Sequence, residues 1–116
     1  MPAIATLGAV VIDVNNFDRV KDFWMQLLDV EVANEFPGIA FLKPQDGTAG
    51  VTIQQVPEAK SGKNRVHPDL GVEDLVEAES RIHELGGSTV RHNEADGFQW
   101  YVMADPDGNE FCIAAG

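Results

Sequence analysis

The sequence has little cysteine and little positive charge. Cys112 is its only cysteine, which excludes an internal disulfide and fits a reducing cytoplasm. Lysine and arginine number 8 against 19 acidic residues, so the net charge is −11 and phosphate backbones are repelled. We therefore expect no nucleic-acid partner and attribute the acidic balance to solubility.

Long apolar runs and a basic leader are also lacking. No stretch approaches the roughly 18 residues that a membrane span needs, and the start, MPAIATLGAVV, lacks the basic region of a secretory signal. Hydrophobic residues at 44% and charged residues at 23% are typical of a globular protein. We expect a single cytoplasmic domain over residues 1–116 with no membrane partner.

The sequence does contain an internal repeat, whose offset is half the length of the chain. IDVNNFDRVKDFWMQLLDVEV begins at Ile12 and LGVEDLVEAESRIHELGGSTV begins at Leu70. Both segments indicate the end of a strand, a helix and the start of another strand, and two more strands follow each. The repeat predicts an α+β fold of two βαβββ modules, at about 1–57 and 65–116, joined by a polar linker at 58–64.

Strand alternation predicts which side chains face away from the helices. In VHPDLGV the apolar set begins at Val66, which leaves His67 and Asp69 on the opposite face. The same rule in AVVIDV, VTIQQV and NEFCIAA gives Ala9, Gln54, Glu110 and Cys112. The offset of the repeat relates Ala9 to His67 and Gln54 to Cys112, so we expect these four positions to line one cavity.

Adjacent aromatic residues add a wall to the predicted cavity. Because Trp100 and Tyr101 are neighbours on one strand, one of them must face the cavity, and Phe41 and Phe98 extend the apolar surface. The residues predicted to bind a ligand are His67, Gln54, Cys112, Trp100, Tyr101, Asp69 and Glu110.

Three segments carry a family resemblance, namely FDRVKDFWMQLLDVEV, NRVHPDLGVEDLVEAESRIHELGG and MADPDGNEFCI, of which DPDGNEF is the most specific. They resemble the vicinal oxygen chelate superfamily, which includes glyoxalase I, bleomycin resistance proteins and extradiol dioxygenases, and the resemblance covers nearly the whole chain. The resemblance implies that the two modules form a curved, open eight-stranded mixed sheet around a cup. It also implies a homodimer.

The resemblance also bears on metal binding. In metal-dependent members His, Gln or Glu side chains hold a divalent ion, and their positions fall here on Ala9, Gln54, His67 and Cys112. Ala9 has no donor atom, and Cys112 stands where the family most often has glutamate. We therefore expect no metal cofactor and interpret the protein as a glyoxalase/bleomycin-resistance-like protein that binds a small organic molecule in its cup.

Three alternatives stay open from the sequence. The first is a metal-dependent lyase, isomerase or dioxygenase with an atypical ligand set, completed by Asp69, Glu110 or a partner chain. The second is covalent catalysis by Cys112, with His67 as its base. The third is a noncatalytic dimerisation or regulatory module.

Overall fold

The computed structural model describes residues 3–115, and the chain forms two compact units that meet in sequence at Ala59 and Lys60. The first unit comprises β1 (Ala9–Val14), α1 (Phe17–Leu28), β2 (Val32–Phe36), β3 (Ile39–Leu42) and β4 (Gly50–Gln55). The second comprises β5 (Asp69–Val72), α2 (Leu75–Glu84), β6 (Ser88–Ala95), β7 (Phe98–Ala104) and β8 (Glu110–Ala115). The predicted α+β class and the βαβββ order are therefore confirmed.

Each unit has one four-stranded, open, mixed sheet. The strand orders are β1-β4-β3-β2 and β5-β8-β7-β6. In each sheet the first pair is parallel and the other two are antiparallel. A parallel pair needs a long crossover connection whereas hairpins need only a short turn, and here α1 or α2 belongs to that crossover. Among residues 3–115, no helix is both long and apolar enough to cross a membrane.

The apolar stripe of each helix supplies the core of its own unit. On α1, Val20, Phe23 and Trp24 are buried, and the two aromatic rings meet edge to face with centroids 5.7 Å apart. On α2, Ile82 is buried, and the backbone N–H of Glu77 donates to the Asp74 carboxylate at the helix start. That bond satisfies one of the amide groups that have no partner within the helix.

The repeat is confirmed, but its offset changes along the chain. The helices begin at Phe17 and Leu75, which is the predicted offset, whereas β4 and β8 begin at Gly50 and Glu110, two positions further apart. Val11 therefore pairs with Thr52 in the first sheet, as Asp69 pairs with Cys112 in the second. The predicted equivalence of Gln54 with Cys112 is wrong by two positions. A slip of two preserves the face on which each side chain lies.

The strand predicted from Val66 is shorter than the alternation suggested. β5 begins at Asp69, and Val66 is 81% exposed rather than part of the core. Pro68 lacks a backbone N–H and so cannot donate to a sheet ladder, although its carbonyl still accepts from the amide of Cys112. His67 therefore stands just before the strand, on a segment tied to β8 by that bond.

The DPDGN turn fixes the start of β8. Asp105 is buried, and its Oδ1 accepts hydrogen bonds from the backbone N–H groups of Asp107 and Asn109, both at 2.9 Å. The side-chain amide of Asn109 donates to Asp105 Oδ2, and Gly108 adopts a positive φ of 89°. Because glycine accepts that conformation without strain, the motif is explained by turn geometry.

Candidate functional site

A pocket of about 400 Å³ lies in the second unit. It is lined by His67, Asp69, Phe98, Trp100, Cys112, Ile113 and Ala114. This volume lies within the range of small-molecule sites, which is roughly 300–1,000 Å³. The lining is mainly apolar, with His67, Asp69 and Cys112 as its ionisable members.

The strand register brings the lining residues together. Cys112 on the central strand β8 pairs with Asp69 on β5 and with Val102 on β7, and Ala114 pairs with Trp100. Paired residues share a face of a sheet, so these side chains lie on one side. His92 belongs to the other side because it contacts Glu79 of α2. The pocket therefore occupies the sheet face that points away from α2.

One end of the pocket is a polar cluster of His67, Asp69 and Cys112. The imidazole Nδ1 of His67 lies 3.8 Å from Cys112 Sγ and 3.4 Å from Asp69 Oδ1. Their donor atoms are all within 4.8 Å of one another, the one such cluster among the described His, Cys, Asp and Glu residues. These three residues are the ones in the pocket that can hold a metal ion.

Burial raises the pKa of the Cys112 thiol, and the Asp69 carboxylate beside it raises that pKa further. Cys112 is therefore a thiol rather than a thiolate at neutral pH. The thiol and the carboxylate both approach the same nitrogen of His67. A nucleophile, base and orienting acid need the two different nitrogens of one imidazole. This geometry gives no support to covalent catalysis by Cys112.

The other end of the pocket is an aromatic wall. The rings of Phe98 and Trp100 stack with centroids 5.8 Å apart and an angle of 26° between their planes. Phe98 is 53% exposed, and both rings line the pocket. Beside them Ala114 and Cys112 are small enough to leave space above the strand. The site thus combines a flat apolar surface with a polar end.

The other predicted residues lie elsewhere. Tyr101 is on the α2 side of β7, where it is buried and stacks on His92 with ring centroids 3.8 Å apart. Glu110 shares the face of Cys112 but does not line the pocket. Gln54 and Ala9 belong to the first unit and are exposed there. Ala114 lines the pocket but is not among the predicted residues, although it follows Cys112 by two residues and alternation alone places it on the same face.

Comparison with known proteins places this fold in one class. A structure of the fosfomycin resistance protein FosX from Listeria monocytogenes, complexed with Mn(II) and a dihydroxypropylphosphonic acid, superposes with a TM-score of 0.80 at 13% identity, over 99% of this chain and 92% of that one. Lactoylglutathione lyase from Agrobacterium tumefaciens superposes with a TM-score of 0.69 at 16% identity, over 100% of this chain and 96% of that one. A glyoxalase/bleomycin resistance protein/dioxygenase family enzyme from Burkholderia phytofirmans superposes with a TM-score of 0.75 at 18% identity, over 96% of this chain and 98% of that one.

The family follows from the sequence itself. The profile of the glyoxalase-like domain family matches residues 9–114, and the chain therefore belongs to that family. This result and the structural neighbours confirm membership of the vicinal oxygen chelate superfamily. A search of curated proteins gave no sequence match.

Proposed function

We propose that the protein binds a small organic molecule with a planar apolar ring in the pocket of its second unit. The stacked Phe98–Trp100 pair carries this proposal, because it offers an accessible aromatic surface beside a polar cluster. Aromatic rings gain about 0.5–1.5 kcal/mol from such stacking beyond the burial of area. Phe98 and Trp100 would hold the ring of the ligand.

The polar end supports recognition of a second group on the same ligand. The Asp69 carboxylate accepts hydrogen bonds only, while His67 can donate or accept according to its tautomer. A ligand with an N–H, O–H or cationic group adjoining its ring would satisfy Asp69 while the ring lies on Trp100. The net charge of −11 favours cationic over anionic ligands of this shape.

A second candidate is catalysis of the lyase, isomerase or dioxygenase type. It is supported by the His67–Asp69–Cys112 cluster and by structural neighbours that are named as a lyase and as a fosfomycin resistance protein with Mn(II). A metal bound there would polarise an oxygen of the substrate. His67, Asp69 and Cys112 would hold that metal, and the aromatic wall would limit the size of the substrate.

The binding proposal is tested with the neutral fluorescent naphthalene probe prodan. Phe98 and Phe36 are both 53% exposed and each packs against one other aromatic ring, but only Phe98 lines the pocket. We expect Phe98→Ala and Trp100→Ala to weaken prodan binding about tenfold, which corresponds to roughly 1.4 kcal/mol. Phe36→Ala, the matched control, should leave it unchanged. Equal losses in both phenylalanine variants, or no saturable binding, would contradict the proposal.

A further inference from the structure

An arginine stands on the pocket side of the second sheet, on its edge strand β6. Arg91 is the cross-strand partner of Val102, and Val102 is that of Cys112. Paired residues share a face of a sheet, so Arg91 lies on the same side as the pocket. Its neighbour His92 contacts α2 on the opposite side, as alternation along β6 requires. Arg91 is therefore at one end of a row of side chains that crosses all four strands and ends at Asp69 on β5.

The charge of Arg91 acts on the pocket and is not neutralised by an ion pair. Burial and the Asp69 carboxylate raise the pKa of the Cys112 thiol, whereas Arg91 acts in the opposite direction and lowers it. Arg91 is exposed, and it forms no ion pair with any of residues 3–115. Acidic residues outnumber basic ones by 19 to 8, so a shortage of acidic partners does not explain this. The guanidinium is thus available to an anionic group of a ligand.

Asn93 adds a second hydrogen-bond donor beside Arg91. It follows Arg91 by two residues on β6, and it is the cross-strand partner of Trp100. The side-chain amide of Asn93 has two N–H donors, and the guanidinium has five in a planar fork. That fork matches the two oxygens of a carboxylate. Neither residue lines the pocket itself, but together they form a donor edge next to the lining residue Trp100.

The two sides of the pocket therefore differ in charge. The carboxylate of Asp69 on β5 accepts hydrogen bonds at one side, and the donor edge on β6 donates them at the other. These two edge strands lie about 14 Å apart, because neighbouring strands are separated by about 4.8 Å. A ligand that satisfies both sides needs an N–H, O–H or cationic group near Asp69 and a carboxylate near Arg91.

We propose that Arg91, assisted by Asn93, selects ligands that carry a carboxylate on their aromatic ring. This inference rests on the proposed function and narrows its ligand class to aromatic carboxylates. The carboxylate would accept two hydrogen bonds from the guanidinium and one from Asn93 while the ring lies on Trp100. The net charge of −11 opposes the approach of an anion from a distance, but salt screens that effect beyond about 8 Å, whereas Arg91 acts at contact.

Two naphthalenes of nearly equal shape test this selection, 2-naphthoate with a carboxylate and 2-naphthamide with a neutral amide. In calorimetric titrations at physiological salt, the full-length chain should bind 2-naphthoate about tenfold more tightly, because hydrogen bonds between charged groups are the stronger ones. Arg91→Gln should weaken 2-naphthoate binding about tenfold and 2-naphthamide binding much less. Arg91→Lys should keep part of the preference, since the charge remains without the fork. Asn93→Ala should lower 2-naphthoate affinity about threefold, as expected for one lost hydrogen bond.

Arg81→Gln is the matched control, because it removes the same charge from an exposed position on α2. It should bind 2-naphthoate as the parent does, and circular dichroism shows whether each variant folds. Equal losses in Arg91→Gln and Arg81→Gln would mean that net charge alone acts, and this would overturn the inference.

The outcomes also separate the inference from the proposed function. If prodan and 2-naphthamide bind but 2-naphthoate binds no better, selection by Arg91 is wrong and the proposed function stands. If 2-naphthoate binds through Arg91, prodan does not bind and Trp100→Ala has no effect, the role of Arg91 stands and ring binding on Trp100 is wrong. Absence of saturable 2-naphthoate binding would overturn the inference whatever the result with prodan.

Discussion

At the scale of single residues, Cys112 shows how neighbouring groups determine reactivity. The residue is 7% exposed and stands beside the Asp69 carboxylate. Burial and that negative charge both disfavour the thiolate, which is the form that attacks electrophiles. In the absence of a bound cation, Cys112 should therefore be an unreactive thiol even though it lines a pocket.

The raised pKa of Cys112 predicts the alkylation kinetics of metal-free protein. Iodoacetamide should modify Cys112 slowly near neutral pH, and the rate should keep rising above the usual thiol pKa of about 8.5. Asp69→Asn removes one of the causes that raise the pKa, so it should increase the rate several-fold at a given pH. Mass spectrometry of the intact chain measures both rates. A rate that is already constant at neutral pH would show a thiolate and contradict the prediction.

The sequence predicts the faces of strands better than it predicts which positions of the two halves are equivalent. Alternation correctly assigned Asp69 and Cys112 to one side of the sheet, because the side-chain period of a strand is two residues. It left open which of Trp100 and Tyr101 faces the pocket. The fixed offset of the repeat also related Gln54 to Cys112, because β6 and β7 are each three residues longer than β2 and β3, a difference that the shorter α2 and the shorter connection to β8 offset only in part.

At the scale of secondary-structure elements, a cluster of polar side chains joins α2 to β6. Glu79 Oε2 accepts a hydrogen bond from the hydroxyl of Thr89, at 2.6 Å, and a second one from the Nε2 of His92, at 2.7 Å. Because the single hydroxyl proton of Thr89 goes to Glu79, the Nε2 of His83, 2.7 Å from that hydroxyl, must be the donor there. Thr89 and then His92 lower the pKa of the Glu79 carboxyl.

We expect Glu79→Gln to reduce the free energy of unfolding at pH 7 by about 1–2 kcal/mol, because hydrogen bonds to a charged acceptor are lost. The lowered pKa in the folded state means that this stabilisation is present above the usual carboxyl pKa of about 4.3. It is lost as the pH falls through the folded-state value. The difference in the free energy of unfolding between the parent and Glu79→Gln should therefore become smaller below about pH 5. Urea titrations at several pH values measure this difference.

The control for that experiment lies on the same helix. Glu84 forms only an exposed ion pair with Arg81, in which both side chains are at least 60% exposed. Such pairs contribute little, so Glu84→Gln should change the free energy of unfolding by less than about 0.5 kcal/mol. A similar loss in both variants would mean that Glu79 acts through helix charge rather than through its partners on β6.

At the scale of the whole molecule, apolar side chains remain uncovered on the first unit. Val11, Phe36 and Phe41 are 53%, 53% and 38% exposed. The register places them on one face of the first sheet, since Val11 and Phe41 both pair with Thr52, and Phe36 pairs with Ile39 on the strand of Phe41. The opposite face carries the buried Ile12, Ile53 and Leu42. Exposed apolar surface of this kind favours association.

We propose that this face forms a homodimer contact, and the test is sedimentation of the full-length chain over a range of concentrations. Phe41→Glu should weaken dimerisation at least about tenfold, because it introduces a charge into an apolar contact. Val76→Glu makes a closely similar change at a 71% exposed position on α2 and should have no effect. Since each chain carries a net charge of −11, added salt should strengthen the dimer by screening repulsion. A monomer at every concentration and salt level would contradict the proposal, and equal effects of the two variants would locate the contact elsewhere.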